Sequence, residues 1–276
     1  MTDQMPPQTD TALICGQGAL PGLLAIRAPE ALLVQMEGFP ADLGDRPVQS
    51  FRLERLVPLM EQLLDQGITR VCFAGAVRRP RIEPEFFDAR TATLVPRILT
   101  AMQSGDDAAL REVIAIFEDW GLSVVAAHDI APDLLASEGV LAGAVTEADR
   151  ADAARAAEIV TALGALDLGQ GAVVAQGLCL AVETLPGTDA MLAFVAERAA
   201  SLRPNPKGAR GVLYKAPKPG QDRRIDLPAI GPDTIRNAAA AGLAGIAIAA
   251  EGVLILDHAA TVAAADAAGL FLWARA

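Results

Sequence analysis

The chain has 276 residues and a formal net charge of −11, with 52% apolar, 21% charged and 4% aromatic residues. That length holds one large domain or two modest ones, each with a core of its own, and the composition excludes disorder. Few stacking side chains and an acidic total exclude nucleic acid as a partner.

In chain order, residues 1–10 are polar, carry Pro6-Pro7 and are expected to form a loose extension. They lack the basic and apolar regions of an export signal, which predicts a cytoplasmic protein. An apolar strand runs to Cys15 and ends in Gly16-Gln17-Gly18-Ala19-Leu20-Pro21, where Pro21 suits the first turn of a helix. Residues 31–37 read as a second strand. Helical spacing returns at Leu53, Leu56, Leu59, Met60, Leu63 and Leu64 and stops at Gly67. A third strand covers Thr69–Ala74 and ends at Gly75. Helices over 93–103 and 106–120 and a strand over 122–127 complete a first domain, 11–131. Strands alternating with helices through short glycine-bearing loops predict a Rossmann-like parallel sheet.

From Asp129 to Val145 the hydrophobic period fades, and Pro132, Gly139 and Gly143 interrupt it, so a linker is expected over 132–145. The second domain, 146–276, is expected to be mixed α/β. It opens with an Ala-rich helix and continues with strands at 171–176 and 178–184 parted by Gly177, then a helix from Gly187. A strand at 211–216, a loop at 217–230, and a final run of strands and helices to Trp273 follow. The charge-free stretches 169–182 and 237–250 fall short of the ~20 residues a membrane span needs. Cys15, Cys72 and Cys179 lie apart in apolar runs and read as small core hydrophobes, while two histidines are too few for a usual zinc site.

Four features carry candidate chemistry. Glycines at 16 and 18 let backbone N–H groups approach a phosphate, although the GxGxxG fingerprint is broken by Pro21. Glu37 stands where a ribose-binding acid would, which leaves a redox dinucleotide as a rival reading, and a plain tight turn as another. The basic loop Lys215-Ala216-Pro217-Lys218-Pro219 is expected to hold two lysines on a stiff, solvated edge suited to a diphosphate. Asp226 beyond it could ligate Mg²⁺, which needs only one or two carboxylates, or orient a water. Thr188-Asp189 after Gly187 and Asp106-Asp107 after Gly105 read as helix caps or as anion contacts. The glycines of Asp167-Leu168-Gly169-Gln170-Gly171 allow close approach of a ligand, or simply a turn. Glu183, at the end of a strand, reads as a second metal ligand or base or, more plainly, as an exposed acid. His128, also at a strand's end, reads as a catalytic group or, more plainly, as a hydrogen-bonded interdomain histidine.

Taken together, several of these stretches resemble one family. Gly16–Pro21, Phe73–Pro80 and Gly105-Asp106-Asp107 in the first half are similar to motifs of the LpxI-type UDP-2,3-diacylglucosamine pyrophosphatases. So are Asp167–Gly171, Val182-Glu183, Gly187–Met191, Lys215–Pro219 and Asp222–Gly231, in order from about Ala12 onward. The departures are the N-terminal extension, Gln17 and Gly220. The resemblance implies a cytoplasmic, Mg²⁺-dependent hydrolase of lipid A biosynthesis in Gram-negative bacteria. It would cleave a glycolipid nucleotide into UMP and 2,3-diacylglucosamine 1-phosphate, held in a cleft between two domains. It implies Asp226 as catalytic residue and metal ligand, with Lys215 beside it in catalysis. Gly16, Gln17, Gly18, Ala19, Gly75, Asp107, Gln170, Gly171, Thr188, Asp189, Lys215 and Lys218 would contact substrate. Contact with the inner membrane would be at most peripheral, and a homodimer is left open. A non-catalytic nucleotide- or lipid-binding module would keep the glycine turns without needing Asp226.

Overall fold

The computed structural model describes residues 9–77, 82–103 and 105–276. Most of the expected extension, and Arg78, Arg79 and Pro80, lie outside the described residues. The chain divides into two compact units. The first runs to Pro132 and takes in Asp222–Asp226, and the second comprises Asp133–Gln221 and Leu227–Ala276.

The first unit is built from β1 (Thr11–Cys15), α1 (Leu20–Arg27), β2 (Leu32–Met36), β3 (Gln49–Phe51), α2 (Leu56–Asp65), β4 (Arg70–Ala74), α3 (Ala89–Gln103), α4 (Asp106–Asp119), β5 (Ser123–Val125) and the single turn α5 (Ala127–Ile130). Its sheet is wholly parallel in the order β3-β2-β1-β4-β5. Central β1 is buried at every position, as a strand covered on both faces must be. Ala12, Ile14, Val34, Val71 and Val124 pack with Leu56, Leu59, Met60 and Leu63 of α2 and with Ile114 and Phe117 of α4. α1 and α5 pack against β1 and β4. The three-residue β3 went unread in the sequence, and the strand expected over 122–127 stops at Val125. There the Asp129 carboxylate accepts from the Ala126 N–H and starts α5.

The sequence order reverses between β1 and β4, and the crevice past their carboxyl ends is where such sheets take ligands. The two turns there are tied backbone to backbone. Gly16 N donates to Ala74 O at 2.7 Å, Gln17 N to Ala76 O at 2.9 Å, and Ala76 N to Gln17 O at 2.8 Å. Gly75 has φ +89°, and a Cβ on it would stand 2.6 Å from the Gln17 carbonyl oxygen. Only glycine fits there, because both the backbone conformation and the contact exclude a side chain.

The second unit continues with β6 (Gly139–Ala142), α6 (Glu147–Ala165), β7 (Gly171–Ala175), β8 (Leu178–Val182), α7 (Gly187–Phe194), β9 (Val212–Lys215), β10 (Ala229–Ile230), α8 (Pro232–Ala240), β11 (Gly245–Ala249), β12 (Leu254–Ile255), α9 (His258–Ala268) and β13 (Phe271–Arg275). Its main sheet runs β6-β13-β11-β9-β7-β8; β9, β11 and β13 are parallel, and the other three are antiparallel to their neighbours. β6 lies inside 132–145, so that span is an edge of the sheet rather than a linker; its glycines masked the short strand. Alternate residues serve two layers. Ala172, Val174, Val212 and Tyr214 meet Ala153, Ala156 and Val160 of α6. Val173, Leu213, Ile246 and Leu272 meet Met191, Leu192, Ile235, Ala238 and Ala265 of α7, α8 and α9. The β7–β8 turn places Gln176 and Gly177 at φ 53° and 78°. Both of their N–H groups donate to the buried Asp152 carboxylate on α6, at 2.9 and 2.7 Å. No helix among the described residues is long and apolar enough to cross a membrane.

Gly75→Ala is expected to destabilise the protein by at least about 2 kcal/mol, from backbone strain and the carbonyl contact together. Gly121→Ala, at φ +85° with no heavy atom within 4 Å, carries the strain alone and should cost about 1 kcal/mol. Urea unfolding of the two variants checks the ordering.

Candidate functional site

The residues expected to bear chemistry in the second unit meet across three strands. Gly171 of β7 is paired with Lys215 of β9, and the Glu183 N–H donates to the Gly171 carbonyl at 2.8 Å just past β8. Glu183 and Lys215 thus share a row with Gly171 between them. Neighbouring strands lie about 4.8 Å apart, so long side chains must reach over roughly 10 Å to touch. They meet above the glycine. Lys215 Nζ stands 3.6 Å from Glu183 Oε2 and donates to Thr188 Oγ1 at 2.6 Å and to the Ala229 carbonyl at 3.4 Å. The Thr188 hydroxyl in turn donates to Glu183 Oε1 at 2.8 Å. Glu183 Oε2 is buried and has no hydrogen-bond partner.

This corrects two expectations. Lys215 is the last residue of a strand and only 4% exposed, not part of a solvated edge. It continues the Leu213 row onto the face that α7 covers, so a charged side chain there needs a carboxylate beside it. Glu183 is that carboxylate, with a side chain 13% exposed, rather than an exposed strand-end acid. Lys218 is likewise paired, with Asp167, and prolines have not kept the lysines from neighbouring acids. The side chain of Gln170 is engaged within the unit as well. Its Nε2 donates to Gln221 Oε1, which also accepts from the Lys218 N–H at 2.8 Å, and so fixes the loop that follows β9. The glycines at 169 and 171 make room for Glu183. A Cβ at 171 would be 2.6 Å from Glu183 Oε2, and one at 169 would be 2.0 Å from the Glu183 carbonyl oxygen. Asp189, on the first turn of α7, accepts from Asn237 Nδ2 at 2.8 Å.

In the first unit the structure brings Gly16 and Gln17 beside Gly75, with Gln17, Gly18 and Ala19 exposed at the carboxyl end of β1. Asp107 sits apart on the first turn of α4 and pairs with Arg111 one turn on. Glu37 is engaged by Arg52, 3.5 Å away, and that arginine also binds Glu54 and Glu83. Cys15 and Cys72 are buried as expected, and burial pushes their thiols up to about 11 and about 12. Cys179 is exposed on edge strand β8, contrary to the reading of all three as core residues. His128 lies on α5 rather than at a strand end, and its buried Nδ1 has no hydrogen-bond partner. Burial holds its pKa below the ordinary 6.5; neighbouring Asp129 opposes that shift and Arg223 adds to it.

Asp226 belongs to the segment 222–226 of the first unit. Ile225 packs on that unit's core, and Arg224 binds both Asp222 and Glu118, at 2.7 and 2.6 Å. The Arg224 guanidinium holds the Asp222 carboxyl below its usual range. The Asp226 N–H donates to the Asp222 carbonyl at 3.4 Å, closing a tight turn.

Comparison with known proteins bears on the same elements. Residues 10–134 match the LpxI N-terminal domain, and residues 137–273 match the LpxI C-terminal domain. The chain belongs to the LpxI family. It is 41% identical over 267 residues to the UDP-2,3-diacylglucosamine pyrophosphatase LpxI of Caulobacter vibrioides, covering 94% of this chain and 95% of that protein. In the sequence, Asp167, Asp222 and Arg224 stand only within longer motifs, with no role of their own; the structure gives them ion pairs with Lys218, Arg224 and Glu118. Glu183 is a candidate in the sequence, and the glycines at 169 and 171, which make room for it, were the signal that it is buried.

Lys215→Ala is expected to cost about 3–5 kcal/mol, because it strands the buried Glu183 carboxylate. Lys218→Ala, which breaks a more open pair, should cost about 1 kcal/mol. Urea denaturation distinguishes the two. His128 takes up a proton less readily when folded, so the stability it confers is present above pH 6.5 and falls as the pH drops through that value. The His128→Gln variant should show a flatter decline in melting temperature between pH 7.5 and 5.5 than the parent.

Proposed function

We propose that this chain hydrolyses the diphosphate of UDP-2,3-diacylglucosamine, releasing UMP and 2,3-diacylglucosamine 1-phosphate, for lipid A biosynthesis. The observation that carries the assignment is the end-to-end match to a pyrophosphatase of that name, which spans both domains. The reading places the enzyme in the cytoplasm, with peripheral contact at the inner membrane where its lipid substrate resides.

Hydrolysis of a phosphoric anhydride needs charge neutralised on the phosphoryl oxygens and a water brought to phosphorus. Lys215 supplies a fixed, desolvated ammonium with a third N–H beyond those given to Thr188 and Ala229. Thr188 lies on the first turn of α7, where backbone N–H groups favour an anion. Lys218 and Gln170 shape the loop after β9 through Asp167 and Gln221. Gly18 and Ala19 lie exposed at the carboxyl edge of the first sheet, on a turn whose Gly16 and Gln17 N–H groups are spent on the Ala74 and Ala76 carbonyls. For Mg²⁺, no group of three His, Cys, Asp or Glu residues gathers among the described residues. Mg²⁺ commonly takes only one or two carboxylates and completes its shell with water and substrate phosphates. Asp226, the aspartate of the motif shared with the LpxI family, would hold it. When bound, the ion supplies Lewis-acid polarisation of a phosphoryl oxygen.

Incubation with UDP-2,3-diacylglucosamine and Mg²⁺ should release UMP, and a chelator should abolish that release. Asp226→Asn should lower turnover at least about 10³-fold while the substrate still binds, because the amide keeps the shape without the charge. Near-parental turnover in that variant would remove Asp226 from the mechanism.

A further inference from the structure

The hydrogen bonds around Lys215 can run in one direction only. A lysine ammonium donates and cannot accept, so Thr188 Oγ1 must be the acceptor of the 2.6 Å contact with Nζ. The single hydroxyl proton of Thr188 is then left to point elsewhere, and the group within reach is Glu183 Oε1, at 2.8 Å. A carboxylate accepts without donating, so the chain Lys215 to Thr188 to Glu183 has a fixed polarity and no rotor left free. The second carboxylate oxygen, Oε2, is buried, unpartnered and 3.6 Å from the ammonium, near enough to attract the charge without taking its proton in a hydrogen bond. Strand geometry serves the same end: Gly171 lacks the Cβ that would stand 2.6 Å from Oε2.

We propose that Glu183 is a positioning residue for the hydrolysis. Through Thr188 and through its charge it fixes the Lys215 ammonium so that the third N–H is presented to a phosphoryl oxygen of the substrate. A donor held in place before the reaction strengthens its bond as charge builds on that oxygen, so the effect falls on turnover more than on binding. The inference rests on the hydrolytic reading above, in which Lys215 meets the substrate.

The test compares Glu183→Gln, Thr188→Val, Thr188→Ser and the Glu183→Gln/Thr188→Val double variant of the full chain, with UDP-2,3-diacylglucosamine as substrate and UMP release as readout. Glutamine keeps the volume and the acceptor for Thr188, but it loses the charge and turns an amide N–H₂ toward the ammonium. Glu183→Gln and Thr188→Val are each expected to lower kcat about 10- to 100-fold with KM changed less than about threefold. Thr188→Ser, which restores the hydroxyl, should recover most of the loss seen in Thr188→Val. The double variant should be no slower than about threefold below the worse single one, since both break the same chain. Values of kcat within twofold of the parent for either single variant, or defects that multiply in the double, overturn the proposal. If Glu183→Gln does not fold, the Thr188→Val and Thr188→Ser pair decides alone: equal turnover in the two refutes it. A parent protein that releases no UMP would instead refute the hydrolytic reading itself.

Discussion

A buried ammonium is the interaction on which the second domain is arranged. Lys215 closes a strand whose other residues are all core, and it is itself only 4% exposed. An uncompensated charge in such a place would be excluded on energetic grounds. A carboxylate two strands away, a glycine between them and a threonine on the facing helix answer that demand together. None of the four makes sense singly: Gly171 without Glu183 would be a weak point in a buried strand, and Glu183 without Lys215 a buried anion. The cluster is thus a single structural unit that happens to leave a lysine N–H and a carboxylate oxygen uncommitted, which is how chemistry and stability come to share the same residues.

The first domain solves a different problem by different means. Its two turns at the carboxyl edge, after β1 and after β4, are held by reciprocal backbone hydrogen bonds rather than by side chains. Gly16 and Gly75 leave room for the two backbones to approach where the strands' ends converge, and the exposed Gln17-Gly18-Ala19 segment lies against Gly75. A broken dinucleotide fingerprint is consistent with this arrangement. The missing third glycine would have served close helix packing, and here Pro21 occupies that place, in the first turn of α1. Glu37, the remaining mark of a dinucleotide reader, is bound up with Arg52.

Much of this was legible beforehand because the signals were local. Apolar runs bounded by glycine located most strands, and the parallel sheet followed from their alternation with helices. β3 and β6 escaped for a physical reason: three- and four-residue strands at or near sheet edges carry too few apolar positions to show a period. The lysine loop was misjudged for another. Proline spacing describes the stiffness of the backbone but says nothing of which face a strand residue takes, and the row shared by Lys215, Gly171 and Glu183 exists only once β7 lies between β8 and β9. The pairing of Lys218 with Asp167, 51 positions earlier, is likewise a product of topology. His128 looked like a strand terminus because its neighbours are apolar; the Asp129 cap that turns the chain into α5 was the overlooked cue.

The placement of residues 222–226 in the first domain bears on how the polypeptide comes off the ribosome. Domains tend to fold in order of synthesis, amino-terminal first. Here the leading domain reaches its full complement only after some ninety further residues have been translated, when Ile225 and Arg224 arrive to join its apolar core and Glu118. A nascent chain stalled before that point carries an unfinished surface, and so does any fragment cut at the junction near Pro132. Exchange of whole halves between relatives would face the same obstacle, because the aspartate-bearing turn is encoded with one half and seated in the other. The two halves are therefore bound to one another's ancestry, and substitutions on the α4 surface around Glu118 must be read together with those in the loop around Arg224.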